Sequence, residues 1–473
     1  MRLTTPLLSL ALLVLASCAG STTHAAPRAG SSAPAARVPN AHDRYARDVL
    51  KELIELNTTE SAGDTTRAAQ AMANRLLAAG FPAGDVQVLG AEARHGNLVA
   101  RLRGRGTKRP LLLLAHLDVV EANKEDWSFD PFVFREQDGY FYGRGVSDDK
   151  DMAAIFVANM VRMKSEGFVP DRDIILALTA GEESGSFNGV RFLLEHHRDR
   201  IDAELALNEG GGGEIKGGKY LANEVTTSEK LYTSFELEAK NKGGHSSLPT
   251  RDNAIYRLSE ALVRVSKFAF PVELNDTTRA YFERLATIER NPDMTAAARG
   301  DTAAAARLSE SSYFNAALHT TCVATLLAGG HAENALPQSA RATINCRILP
   351  GVDPARIEET LRTVVADPQV ELRRSPHGPP APPSPLTPEV VQAIESVTQA
   401  MWTGVPMLPT MLGGATDCQH LRRAGTACYG LSGEFADIED VRAHGKDERL
   451  LVRSFYEGRE FLDRLTRKLA GGR

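Results

Sequence analysis

Acids and histidines recur in this chain just beyond short apolar runs. His116, Leu117 and Asp118 follow the run 111–114, Glu182 and Glu183 follow 174–178, Glu209 follows 205–207, and His444 lies downstream of 428–431. Short apolar runs bounded by glycine and polar residues read as buried strands of an α/β sheet. Ligands of such sheets collect beyond the carboxyl ends of the strands. Side chains able to bind metal therefore converge on one crevice.

The chain has 473 residues, more than one core usually holds, so two domains are expected, one of them inserted in the other. Residues 42–80 read as helical, with a helix starting at Asp64, Thr65 and Thr66. The segment 86–102 reads as strands, and 152–163 has helical apolar spacing, which puts Asp148 at a helix N-terminus. Strand, helix and strand continue through 207. This alternation predicts an α/β fold: a helix-flanked mixed sheet over 42–222 and 350–473, interrupted by a smaller α+β domain over 223–349. Within the insert, 232–239 alternates like a half-exposed strand, 254–265 is amphipathic, and the Ala-rich stretch 294–306 lengthens a helix. The net charge of −5 is mild and no basic block or stripe is present, which argues against nucleic acid as a partner.

Residues 1–25 carry one early arginine, an apolar stretch over 7–15 and then Leu15, Ala16, Ser17 and Cys18. That stretch is too short to span a bilayer and reads as an export signal. The Leu-Ala-Ser-Cys order resembles a bacterial lipoprotein cleavage box, which implies lipidation at Cys18 and a protein anchored to the membrane in the periplasm. Ordinary cleavage near Ala25, giving a soluble periplasmic or secreted protein, is the alternative. Residues 26–41, rich in Ser, Ala, Pro and Gly, suit a flexible tether. An oxidising compartment permits disulfides. Cys322 and Cys346 lie in two strand-like runs that would face each other in a hairpin, so they are expected to pair. Whether Cys418 and Cys428 pair is left open, and buried unpaired thiols are the alternative for all four.

A catalytic zinc site needs nitrogen and oxygen ligands on a rigid scaffold and an open position for water. His116, His444, Asp148, Glu183 and Glu209 can hold two such ions if Asp148 bridges them. Three carboxylates and one hydroxide balance two dications, so the cluster can be buried. Two ions a few Å apart, about 3.5 to 4 Å, share and acidify one water. Asp118 fits the role of accepting the other imidazole N–H of His116. Glu182, beside a ligand without being needed as one, is the candidate general base.

The segments Leu114–Asp118 of the first cluster, Gly143 to Lys150, Gly181-Glu182-Glu183, Asn208-Glu209-Gly210 and Ala443-His444-Gly445 together resemble the zinc amidohydrolase and metallopeptidase family of aminoacylase, glutamate carboxypeptidase, acetylornithine deacetylase, carnosinase and carboxypeptidase S. The resemblance implies that His116 and Glu209 bind one zinc, Glu183 and His444 the other, and Asp148 both; Mn²⁺ or Co²⁺ could replace zinc. It implies a non-proline cis bond after Asp148, and a lid and dimerisation role for the insert. His245, after two glycines, resembles a lid histidine that steadies the oxyanion and is often delivered by the other subunit of a homodimer; a turn residue is the alternative. Asn334 and Arg347 match a segment that holds the substrate carboxylate, for which arginine's planar fork is suited. Gly413 and Gly414 resemble a loop that lets substrate backbone approach. Asp151 stands where many relatives have glycine, and Asn208-Glu209 replaces a Glu-Pro or Asp-Glu pair.

The implied activity is hydrolysis of an amide beside an amino-acid carboxylate, with a small peptide or N-acyl amino acid as substrate. An exported carboxypeptidase or dipeptidase is the leading reading and an aminoacylase the alternative. A tethered binding protein with a decayed site is the competing class, and the completeness of the ligand set argues against it.

Overall fold

A computed structural model describes residues 31–32, 38–183, 187–376 and 378–472. The leader and Cys18 lie outside the described residues, as does most of the tether. Of the tether, Ser31–Ser32 pairs antiparallel with Lys219 and Tyr220, so these two residues are a short strand rather than free chain. Helical structure begins at Ala41–Ile54, where Asn40 and Asp43 close a reciprocal capping box. A second helix, Thr65–Ala78, is capped by Asp64, so the expected helical segment is two helices separated by a loop.

The centre of the molecule is four neighbouring parallel strands, in the order Ala427–Gly430, Leu205–Asn208, Leu111–His116 and Ile174–Thr179. Asn97–Leu102 and Val86–Leu89 continue the sheet antiparallel on one side. On the other side Lys219–Glu229 joins it and pairs with Met407–Leu412 and Gly213–Lys216. The continuous apolar run in Leu111–His116 is explained by burial on both faces. Leu111, Leu113 and Ala115 enter a core with the helices Ala41–Ile54, Lys150–Ser165 and Val452–Ala470, while Leu112 and Leu114 enter a second core with Val190, Leu193 and Leu421.

The chain leaves this sheet at Lys230. Leu231–Lys240, Ser339–Ile348 and Thr321–Gly329 form the antiparallel sheet of the insert. The expected limit at residue 349 is too early. Val370–Arg374 adds a fourth strand beside Leu231–Lys240, and the helix Pro354–Val365 buries Ile357, Leu361 and Val365 in the same core. The Ala-rich stretch also departs from expectation. It forms two short helices, Pro292–Ala298 and Thr302–Leu308, which together with Asp276–Glu289 pack on Ala222 and Leu408 of the large sheet. Cys322 is opposite Cys346 in register and bonded to it; Cys418 bonds to Cys428.

Candidate metal centre

Each functional side chain stands at the carboxyl end of a parallel strand or on a loop that passes over it. His116 ends its strand and is 2% exposed. Glu182 and Glu183 follow Ile174–Thr179 through a turn at Gly181, whose φ of 76° is left-handed and where a Cβ would lie 2.3 Å from the Phe187 carbonyl. Glu209 directly follows Leu205–Asn208. Asp148 precedes the helix Lys150–Ser165, and the Asp148–Asp149 peptide is cis.

These groups meet. His116 Nε2 lies 3.1 Å from Asp148 Oδ1 and 4.0 Å from Glu209 Oε1. His444 Nε2 lies 3.0 Å from Asp148 Oδ2 and 2.7 Å from Glu183 Oε1. Asp148 thus directs one oxygen to each histidine, the arrangement a bridging carboxylate requires. Ligand atoms of His116, Asp148 and Glu183 fall within 4.8 Å of one another, as do those of His116, Glu182 and Glu209.

The donor set fits two divalent cations. Four carboxylates, on Asp148, Glu182, Glu183 and Glu209, face two imidazoles, which leaves an excess of negative charge in a largely buried site. Burial pushes the Glu182 carboxyl up to about 10 and the neighbouring acids Glu209 and Asp417 add to it; burial likewise raises Glu209 well above its usual range. Burial also raises Asp148, but hydrogen bonds with His116 and His444 outweigh it and hold that carboxyl low. The hydrogen bond to Asp148 raises His444 to about 9. Dications would relieve this crowding and favour the ionised carboxylates.

Asp118 does not act as expected. Its carboxylate accepts the backbone N–H groups of Glu182 and Glu183 at 3.2 and 2.9 Å, so it fixes the turn that carries the two glutamates. The partner of His116 Nδ1 is instead the Asp118 main-chain carbonyl, at 2.9 Å, with the carboxylate at 3.8 Å. Either oxygen leaves Nε2 turned to the metal side.

The lid residues divide. Arg347 donates to the Gly413 carbonyl at 3.1 Å and its guanidinium lies 4.8 Å from the Tyr232 ring centre, beside a cavity of about 680 Å³ that Glu182 and Glu183 line. At Gly413 a Cβ would meet no atom within 4 Å, and at Gly414 only Leu412 at 3.8 Å or more, so this loop presents open space. His245 and Asn334 stay outside the cluster. Both are exposed, on two short paired lid segments, and His245 Nδ1 bonds to the Ser247 hydroxyl at 2.7 Å.

Several supporting residues had no role assigned from sequence. Arg144 and Glu448 form a buried pair at 2.6 Å, and Glu448 also accepts the N–H groups of Gly145 and Ser147. Asp149 accepts the His116 N–H at 3.1 Å. Glu229 holds the glycine loop by accepting from Thr416 and pairing with Arg422 at 3.0 Å. Arg144 lies in the Gly143-Arg144-Gly145 motif, the one signal available; Glu448 and Glu229 look like ordinary charged residues.

The sequence signature of Peptidase family M20/M25/M40 matches residues 112–468, the span that carries all five candidate ligands. The chain belongs to this family. It is therefore a metallopeptidase-type hydrolase of amide bonds. M20 relatives include human N-fatty-acyl-amino acid synthase/hydrolase PM20D1, 25% identical over 469 residues, covering 91% of this chain and 89% of that protein. A probable carboxypeptidase S-like 2 of Dictyostelium discoideum is 27% identical over 360 residues, covering 73% and 69%. The M20 metallo-carboxypeptidase Sso-CP2 of Sulfolobus solfataricus shares the fold with a TM-score of 0.67 at 16% identity, covering 90% of this chain and 99% of that one. Human carnosine dipeptidase 1 does so with a TM-score of 0.60 at 14% identity, covering 91% and 96%.

Proposed function

We propose that this M20 hydrolase uses two zinc ions to cleave the amide beside a free amino-acid carboxylate, acting as a carboxypeptidase or dipeptidase. The observation that carries this reading is the split of Asp148 between His116 and His444, with Glu209 beside one histidine and Glu183 beside the other. His116, Glu209 and Asp148 would hold one ion; Glu183, His444 and Asp148 the other. When bound, the ions polarise the scissile carbonyl and lower the pKa of the attacking water.

The chain's own residues supply the rest. Glu182 accepts a proton from the water and returns it to the leaving nitrogen. Asp118, through the N–H groups of Glu182 and Glu183, keeps that base aimed at the site. Arg347 and the lid segment with Asn334 receive the substrate carboxylate. His245 steadies the oxyanion from the second subunit of a homodimer. Exposed Val323, Leu326 and Leu327 on the lid's edge strand Thr321–Gly329 support such a dimer, because an unpaired apolar edge favours pairing with another copy.

Hydrolysis of N-acyl amino acids is the second reading, favoured by the names of the PM20D1 relatives. The two cysteine pairs support export to the periplasm, where lipidation at Cys18 would tether the enzyme. The deciding assay compares dipeptides with N-acyl amino acids, each with a free or an amide-capped carboxyl end. Cleavage of free acids of one class, with capped forms slower by about 100-fold, supports the reading and separates peptidase from acylase. Equal cleavage of capped and free forms overturns the carboxylate requirement.

A further inference from the structure

A second cavity, of about 190 Å³, adjoins the one that Glu182 and Glu183 line; Lys230 stands in the wall of both. Its walls are mainly apolar, with Tyr281 from the helix Asp276–Glu289, Tyr313, Ala316 and Ala317 from the helix Ser312–Leu318, and Met411 from the catalytic sheet; Thr278 and Thr410 line it as well. Gly413, whose carbonyl receives Arg347, lines it as well. A volume below the roughly 300 Å³ of a whole-ligand pocket suits one side chain rather than an entire substrate.

The position relative to Arg347 decides which side chain. Arg347 rests on Tyr232, which lines the larger cavity, and bonds to Gly413, which lines the smaller. A carboxylate held there would have its own α-carbon at the junction, with the scissile amide toward Glu182 and the side chain toward the apolar walls. Resting on the amidohydrolase reading, we infer that this cavity receives the side chain of the residue whose amine is released, and that the enzyme selects aromatic and large aliphatic amino acids at that position. The helices that build it occupy the stretch between two lid strands, yet they pack on the catalytic sheet, which fixes the cavity's walls relative to the metal ligands.

The test is the ratio of kcat/KM for N-acetyl-phenylalanine to that for N-acetyl-glycine, and the same ratio for Phe and Gly at the carboxyl end of dipeptides, with the zinc-loaded full chain. Burial of a phenylalanine side chain predicts a ratio of roughly 10 to 100. Ala317→Phe, which fills the cavity, should reduce the ratio at least tenfold, and Tyr313→Ala, at an exposed site and so tolerated in folding, should reduce it by removing one wall. A wild-type ratio near one, or a ratio unchanged in both variants, overturns the inference and leaves the hydrolase reading intact. Absence of hydrolysis across both series overturns the two together.

Discussion

Glu448 accepts a hydrogen bond from Arg144 at 2.6 Å, and through this buried pair the loop that carries Asp148 is joined to the loop that carries His444. The carboxylate also takes the N–H groups of Gly145 and Ser147, while Arg144 Nη2 reaches the carbonyls of His444 and Gly445 at 3.4 and 3.1 Å. Removing one partner strands the other charge away from water. Glu448→Gln or Arg144→Met should cost about 3 kcal/mol in stability, measured by denaturant unfolding, and weaken zinc binding by roughly 10- to 100-fold in a calorimetric titration. Unchanged zinc affinity would mean the pair supports the fold alone.

Glu182→Gln keeps the shape of the side chain and removes its basicity. The variant should bind the same number of ions as the wild type, by elemental analysis, with kcat lowered at least about 100-fold. Loss of one ion would reassign Glu182 as a ligand, which its nearness to His116 and Glu209 makes geometrically accessible.

Lys230 is 3% exposed and donates to the His319 carbonyl at 2.7 Å. Burial, with a lesser contribution from the Arg347 charge, lowers its pKa from 10.5 to about 8. Between these values the unfolded chain holds the extra proton, so this residue makes stability rise with pH from 8 to 10.5; below pH 8 its full cost, of order 3 kcal/mol, applies. Lys230→Met should remove that rise, giving a stability gain over wild type that is largest below pH 8 and shrinks as pH approaches 10.5. Parallel pH profiles for the two proteins would contradict the assignment.

The Cys322–Cys346 bond closes a loop of sequence separation 24 between two paired strands of the lid. Chain-entropy arguments give such a link about 3 kcal/mol. Replacing both cysteines by serine should lower the unfolding midpoint accordingly. A midpoint equal to wild type under oxidising conditions would mean that the bond contributes nothing to the folded state.

The candidate ligands His116, Glu183 and Glu209 were legible because their signal is local, each standing just beyond a run that reads as a buried strand; Asp148 and His444 lie on loops and were singled out by the motifs around them. The cis bond after Asp148 followed from family resemblance, not from spacing, and the contact of Arg347 with the Gly413 carbonyl was not foreseen at all. What remained hidden depends on contacts between distant segments. Val370–Arg374 alternates Val370 and Leu372 inward as a strand should, yet nothing local says that it pairs with Leu231–Lys240 and extends the lid past residue 349. The helices from 276 to 318 lie between lid strands in sequence, and only the apolar faces of Phe282 and Leu285 meeting Ala222 and Leu408 assign them to the catalytic sheet. Asp118 was identified as a supporting acid, but its carboxylate serves the Glu182–Glu183 turn, because those two N–H groups point back at it and leave the imidazole to the carbonyl.

The most direct test of the metal centre is hydrolysis of a cleavable N-acyl amino acid or dipeptide by chelator-stripped protein as zinc is added back. Turnover should be absent at the start, rise with added zinc and level off at two equivalents per chain. Turnover that survives chelation, or a chain that takes up two equivalents and cleaves none of these amides, would contradict the account.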